Sequence, residues 1–429
     1  MSAKTKNDIA WDKLFKQYNI LEEIAENGLF VIEAAQINQE RETRLMVKFD
    51  SQDKLPKLFR DNHLSILPIS RSQYVIGNFE THLKVEYDRS IKIVAWEFPE
   101  ELESIDPSNL YSESSALHCA FNLGIINDVL LEPTLFYTVS GRMSTGEFNF
   151  QIKNSLDEGQ LTIEVKNSQC EIDGGFEGEN CFVLIEAKNY FVEDFLIRQL
   201  YYPYRLWSQK LSKKVIPVLM TYSNNIFTFF IYEFENDIDY NSIKFIEMKR
   251  YNIAPEKIYS TDVDNIFHQV KIVPEPDVSF PQADRFERLV DLLSLLVEKD
   301  LTKDELTQNY QFDSRQTNYY TDAGRYIDLV DKYQDTETKE IFFSLTDEGR
   351  DILGKQPRIK YLDLIGKILE KEVFYKAFEL TLQNGEIPLK QEIGEIILEV
   401  RSDLNPTTAG RRASTVRGWI NWILDQIQD

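Results

Sequence analysis

Cysteine and histidine are scarce in this chain of 429 residues. The three cysteines, Cys119, Cys170 and Cys181, are an odd number and their spacing matches no zinc motif. The reading therefore expects reduced thiols and a cytoplasmic setting. The four histidines, His63, His82, His118 and His268, are scattered, which excludes a histidine-rich metal centre. No apolar run approaches the roughly 20 residues that a membrane helix needs. The opening MSAKTKNDIAWDKLFKQ lacks the apolar stretch of a signal peptide, so none is expected. Positive charge is short as well: 48 Lys and Arg against 71 Asp and Glu leave a net charge of −23. This excludes simple basic coating of nucleic acid and leaves open a local basic patch. Any metal must then be held by carboxylates, which favours Mg²⁺.

Apolar residues make up 42% of the chain, enough to bury sizeable cores. The length suggests about three domains, or two large ones. Residues 1–110 read as an α+β module, with a helix from Asp8 to about Glu26 and strands near 29–33, 44–49, 74–77 and 91–96. Residues 111–272 open on a helix capped at Ser112. Strands follow near 135–139, 148–152, 161–165 and 181–185, then a helix from about Val192 to Leu211, then strands near 215–220 and 226–231. The run Cys181–Ile185 is continuously apolar and reads as a central strand buried on both faces of a mixed α/β sheet. Three prolines within residues 273–282 mark a linker.

Residues 280–356 run helix, short helix, longer helix (about Ser314 to Val330), strand and helix, the order of a winged helix. Thr302 and Glu305 form a capping box within it. Residues 357–429 continue as amphipathic helices, in which Trp419 and Trp422 read as core.

One segment, Glu171–Asn189, carries chemistry. Asp173 ends a strand-like stretch at a Gly-rich turn, and thirteen residues on Glu186 closes the apolar strand, followed by Ala187 and Lys188. Residues i and i+2 of a strand share a face, so Glu186 and Lys188 project together, and a hairpin would return Asp173 to them. Burying such charges is costly unless they pair or bind a metal. Two close carboxylates favour a divalent cation, and a lysine beside them can hold or deprotonate a water. That set suits phosphodiester hydrolysis.

These residues resemble the PD-(D/E)XK nuclease superfamily. The resemblance implies a restriction-endonuclease-like core, Asp173 and Glu186 as Mg²⁺ ligands, the Ala187 carbonyl as a further ligand, and Lys188 serving the attacking water. Ile172 stands where the family often has proline. Gln199, in Arg198-Gln-Leu-Tyr-Tyr-Pro-Tyr204, resembles the Gln of the Gln-plus-Tyr helix beside such sites, with Pro203 where the Tyr is usual. Glu113 on the first core helix is the natural extra carboxylate, with His118 as rival. Residues 140–150 resemble the family's first core hairpin.

For nucleic acid, Arg315, Gln316 and Asn318 at the start of the longer helix are side-chain types that read base edges or phosphates. Arg411, Arg412 and Arg417 form a local basic stretch suited to phosphates near a helix start. The order of modules resembles type II restriction endonucleases. It implies Mg²⁺-dependent, sequence-specific cleavage of double-stranded DNA, a homodimer to cut both strands, and a cognate DNA methyltransferase. The rivals are a non-specific repair or recombination nuclease of the same fold, and a winged-helix regulator with an inactive nuclease-like domain.

Overall fold

The computed structural model describes residues 5–99, 101–253, 257–309 and 314–428. It is a mixed α and β protein with several cores.

The first core lies within residues 8–76. The expected single helix is two, Lys6–Gln17 and Ile20–Asn27, because Asn19 at φ 48° turns the chain through left-handed backbone. Trp11, Phe15 and Phe59 meet edge to face beneath a three-stranded sheet of Leu29–Glu33, Ser65–Pro68 and Gln73–Gly77. The expected strand near 44–49 is instead a short helix, Thr43–Val47. Its start is fixed by the Thr43 N–H on Asn38 Oδ1, and the Met46 carbonyl accepts from the Trp11 indole. Tertiary hydrogen bonds override strand propensity there.

The second unit is a seven-stranded sheet. Its strands are β1 (Ile93–Trp96), β2 (Phe136–Ser144), β3 (Gln169–Glu177), β4 (Cys181–Lys188), β5 (Lys214–Ser223), β6 (Ile226–Phe234) and β7 (Ile243–Ile253), in the spatial order β1-β7-β6-β5-β4-β3-β2. The β4/β5 and β7/β1 pairs are parallel and the rest antiparallel. β1 falls inside the expected N-terminal module yet joins this sheet, so a boundary at residue 110 cuts through a ladder. β7 escaped the sequence reading because much of it is exposed and its polar residues hide its pairing.

All eight residues of β4 are buried, as its apolar run predicts. Val183, Ile185 and Ala187 pack towards helix α1 (Glu113–Asn122), and Phe182 and Leu184 towards helix α2 (Arg198–Ser208). The α2 helix is the crossover between the parallel neighbours β4 and β5. It starts later than expected, because Asp194–Leu196 pairs as a strand with His82–Lys84. Residues 140–150 do not form a hairpin: β2 pairs with β3, and Glu147–Lys153 pairs with Gln160–Lys166 as a separate ribbon.

Beyond residue 257 there is one helical core. Phe286–Glu298, Leu301–Thr302, Lys303–Asn309, Ser314–Tyr326, Val330–Gln334 and Ile341–Leu345 follow in order, and the three strands pair with Ile341–Leu345 central. The capping box forms as read, with Thr302 N–H on Glu305 and Glu305 N–H on the Thr302 hydroxyl. Five helices follow among the described residues, ending in Pro406–Asp425. Trp419 stacks on Phe374 and meets Phe286 edge to face, so residues 280–356 and 357–429 share one core rather than two. Val263 and Phe267 of an unforeseen helix, Ser260–Gln269, pack into the same core, so the boundary at 272 also shifts.

The expected linker is a packed strap. Val273 N–H bonds Glu370 O, Glu275 accepts from Tyr326, and Phe280 is buried. Proline stops helix and sheet there without stopping burial. Asp291 ties this body to the sheet, accepting from Phe191 N–H and the Ser223 hydroxyl, each at 2.8 Å. Among the described residues no helix is long and apolar enough to cross a membrane.

Candidate active site

The centre of interest is where the pairing of β3 with β4 ends. The β3/β4 ladder runs to Ile185↔Gly174. Against β2, the same stretch of β3 is irregular: Val139 faces Gly175 while Gly141 faces Ile172, so Asp173 and Gly174 together oppose one residue. This bulge re-aims the chain. Asp173 therefore lies within a continuous strand, not at a turn as expected; the turn falls after Glu177. Gly174 and Gly175 serve close packing, since a Cβ on Gly174 would meet Leu117 of α1 at 2.8 Å and one on Gly175 would meet Val139 at 2.9 Å.

The bulge brings Asp173 Oδ2 onto the Ala187 N–H at 2.7 Å. Glu186 and Lys188 share the opposite side of β4 from Ala187, and Lys188 Nζ sits 2.6 Å from Glu186 Oε1. Glu113, in the first turn of α1, reaches the same ammonium at 3.8 Å. Ser112 caps that helix by accepting from Ser115 N–H, which orients the first turn towards the strand end. Gln199, at the start of α2, donates to Glu186 Oε1, and its own carbonyl oxygen is buried without a hydrogen-bond partner among the described residues.

Burial raises the Glu186 carboxyl above its ordinary range even against Lys188, and Asp173 adds repulsion. Asp173 is likewise raised by burial, with Lys188 and the Ala187 N–H opposing. Burial works to lower the Lys188 ammonium, but Glu186 and then Glu113 overcome it and keep it charged. The cluster is thus rich in carboxylate that is costly to ionise.

A divalent cation fits this chemistry. Asp173 Oδ1 and Glu186 Oε2 take no hydrogen bond among the described residues, so each carboxyl keeps a free oxygen. Three acidic, His or Cys side chains do not form a ready-made metal cage among the described residues. Mg²⁺ needs only one or two carboxylates and keeps its waters. Two carboxyls beside a lysine are therefore a sufficient donor set.

His118 is exposed and meets Tyr137 edge to face, and among the described residues it makes no ion pair or hydrogen bond with Asp173, Glu186 or Lys188. The tyrosines after Gln199 are structural. Tyr201 and Tyr204 bond Asp237, Tyr202 bonds Pro68 O, and all three are buried.

A contribution from far along the chain was missed. The segment Lys48–Lys54 of the N-terminal unit lies against the centre. Asp50 is buried, and although burial pushes it up, Lys54, Lys188, Lys48 and Arg198 hold it below its usual value. Nothing in the local sequence signals this, since 119 or more residues separate the loop from the motif.

In the C-terminal body, Arg315 and Asn318 are exposed and Gln316 half-buried on one helix. Arg411 is exposed and Arg412 half-buried on Pro406–Asp425, with Tyr319 within electrostatic reach of Arg412. Arg417 lies mid-helix, half-buried, and donates to Pro388 O at 2.6 Å, so part of its guanidinium is used within the fold.

Three families match the chain in succession, each described as a domain of unknown function: DUF6996 over residues 8–76, DUF6997 over 77–252 and DUF7226 over 288–428. The first two divisions follow the first two bodies of the fold, whereas the third begins inside the helix Phe286–Glu298 and leaves out Ser260–Gln269, which packs into the same core. No curated protein and no solved structure matches.

Proposed function

We propose that the protein is a Mg²⁺-dependent endonuclease of the PD-(D/E)XK kind that hydrolyses phosphodiester bonds of double-stranded DNA at specific sequences, as a type II restriction endonuclease does. The observation that carries this is the meeting of Asp173, from the bulged middle of β3, with Glu186 and Lys188 at the end of the antiparallel neighbour β4. The element order supports it: helix, three antiparallel strands, helix, then a parallel strand, with Glu113 and Gln199 on the flanking helices.

Asp173 and Glu186 would hold Mg²⁺, with the Ala187 carbonyl as a further ligand. The ion would supply Lewis-acid charge and a more acidic water. Lys188 orients the attacking water and is itself placed by Glu186 and Glu113. Gln199 fixes Glu186. Water attacks phosphorus, the bond to the 3′ oxygen breaks, the leaving oxygen takes a proton, and a 5′-phosphate remains.

The C-terminal helix–strand order, with a two-stranded wing after Ser314–Tyr326, supports a winged helix that presents Arg315, Gln316 and Asn318 to DNA, with Arg411 and Arg412 beside it. Two strands cut at one site call for two centres, so the reading includes a homodimer, and a cognate methyltransferase to protect the host's DNA.

The test is plasmid and phage DNA incubated with Mg²⁺ or EDTA, alongside Asp173→Ala and Lys188→Ala. Discrete Mg²⁺-dependent bands, lost in both variants, are expected. A Mg²⁺-dependent smear would replace the restriction reading with a non-specific nuclease. DNA binding without any cleavage would favour a winged-helix regulator.

A further inference from the structure

The loop Lys48–Lys54 is clamped to the strand leading into α2. His82 Nε2 contacts the Phe49 carbonyl at 2.9 Å, Leu196 N–H bonds the Asp50 carbonyl at 3.1 Å, and Gln52 N–H bonds Asp194 Oδ2 at 3.2 Å. Arg198 and Gln199 follow directly, so the loop is held beside Glu186. The two lysines of the loop differ. Lys48 is exposed and stands 3.7 Å from Asp50. Lys54 is only half-buried as a residue, but its ammonium is closed off from solvent and has no hydrogen-bond partner among the described residues.

A buried ammonium without a partner is costly, and an anion relieves that cost. Lys188 is already committed to Glu186 and Glu113, whereas Lys54 is not hydrogen-bonded to the carboxylate nearest it in effect, Asp50. Among the described residues the centre thus holds the Lys188 ammonium, used internally, and the Lys54 ammonium, which has no hydrogen-bond partner.

We propose that Lys54 receives a non-bridging oxygen of the phosphodiester under attack, so that the N-terminal unit contributes a catalytic residue to a centre otherwise built from residues 113–199. This rests on the nuclease reading. It also gives the first unit a role that its own fold does not announce: the centre is complete only when that unit is docked.

The test compares full-length wild type with Lys54→Met, which keeps the stem and removes the charge, and Lys54→Arg, which restores a charge. Thermal melting of each variant controls for folding. Single-turnover cleavage should fall about 10²-fold in Lys54→Met and recover in part in Lys54→Arg. Burial lowers the Lys54 ammonium to about 8, with Asp50 and Glu113 raising it and Lys48 and Lys188 lowering it. The wild-type rate should therefore decline above about pH 8, and that limb should move upward in Lys54→Arg. A purely structural lysine would not move it.

Binding of a duplex of about 20 base pairs, in an Asp173→Asn background, supplies a readout independent of cleavage. Lys54→Met should lower the salt slope by about 1. Unchanged rate and slope in Lys54→Met overturn the inference while leaving the nuclease reading intact. If wild type cuts no DNA, the nuclease reading falls and the slope decides: a Lys54-dependent slope retains the phosphate seat, and an unchanged one removes it as well.

Discussion

Asp173 Oδ2 accepts the Ala187 N–H at 2.7 Å, one rung beyond the last backbone pair between their strands. A side-chain carboxylate thus stands where a ladder carbonyl would, and it is locked in register with the residues on either side of Ala187, Glu186 and Lys188. The structural bond and the proposed chemistry depend on the same side chain, and substitution separates them. Asp173→Asn keeps an oxygen for the Ala187 N–H and loses the charge; Asp173→Ala loses both. Both should abolish cleavage. Chemical denaturation in EDTA should place Asp173→Ala below Asp173→Asn by about 1 kcal/mol, the worth of one hydrogen bond. Cleavage by Asp173→Asn would remove Asp173 from the proposed ligand set.

Divalent cations should stabilise the fold. Asp173 and Glu186 are both raised by burial and repel each other, so an ion that binds only the native state adds stability by mass action. At tenfold excess over its dissociation constant the gain is about 1.4 kcal/mol. Melting curves in Mg²⁺ against EDTA measure it, and Glu186→Gln with Asp173→Asn should erase the difference. An equal shift in the double variant would place the ion elsewhere.

Asp291 makes stability pH-dependent. It is buried against Phe191 N–H and Ser223, and burial raises it to about 7. A carboxyl with a raised folded value binds its proton more tightly in the native state. Its contribution is therefore present below the unfolded value near 4 and is lost as pH rises through about 7. The loss is at most roughly 4 kcal/mol. Urea unfolding between pH 4.5 and 8 should show stability falling, and Asp291→Asn should flatten that fall. A variant as steep as wild type would assign the slope to other groups.

Gly418 lies within the helix Pro406–Asp425, against the Asp284 backbone. A Cβ there would meet Asp284 O at 1.8 Å, and a backbone atom cannot swing aside. Gly418→Ala should cost about 3 kcal/mol or more despite alanine's better helix propensity. A melting temperature equal to wild type would mean that the strap moves without penalty.

Arg411 and Arg417 should behave oppositely. Arg411→Ala removes an exposed charge, so it should leave stability within about 0.5 kcal/mol and lower the salt slope of DNA binding by about 1. Arg417→Ala should destabilise by about 1 kcal/mol through the lost bond to Pro388 O and leave the slope unchanged. Reversal of the two patterns would relocate the phosphate contact.

Much of the core was legible because its signals are local. The apolar run Cys181–Ile185 could only be an interior strand, and its alternation places Glu186 and Lys188 on one side whatever surrounds them. Ser112, Thr302 and Thr346 cap their helices because a hydroxyl satisfies free amides within its own turn. The domain boundaries were less legible. Ile93–Trp96 reads as a strand in isolation, but which sheet it joins depends on an edge more than 150 residues away. The prolines of residues 273–282 announce an absence of helix and say nothing of Phe280 finding a hydrophobic site.

The sequence by itself determined that β4 is an interior strand and that Glu186 and Lys188 lie on one side of it, since both follow from side-chain period and hydrophobicity. Only the tertiary structure decided that a bulge aims Asp173, that Glu113 reaches Lys188, that Arg417 bonds Pro388 O, and that Lys54 of a different unit lies within electrostatic reach of Lys188 and Glu113. Those outcomes turn on non-local contacts, whose partners are fixed by how packed faces meet and leave no periodic trace in the chain.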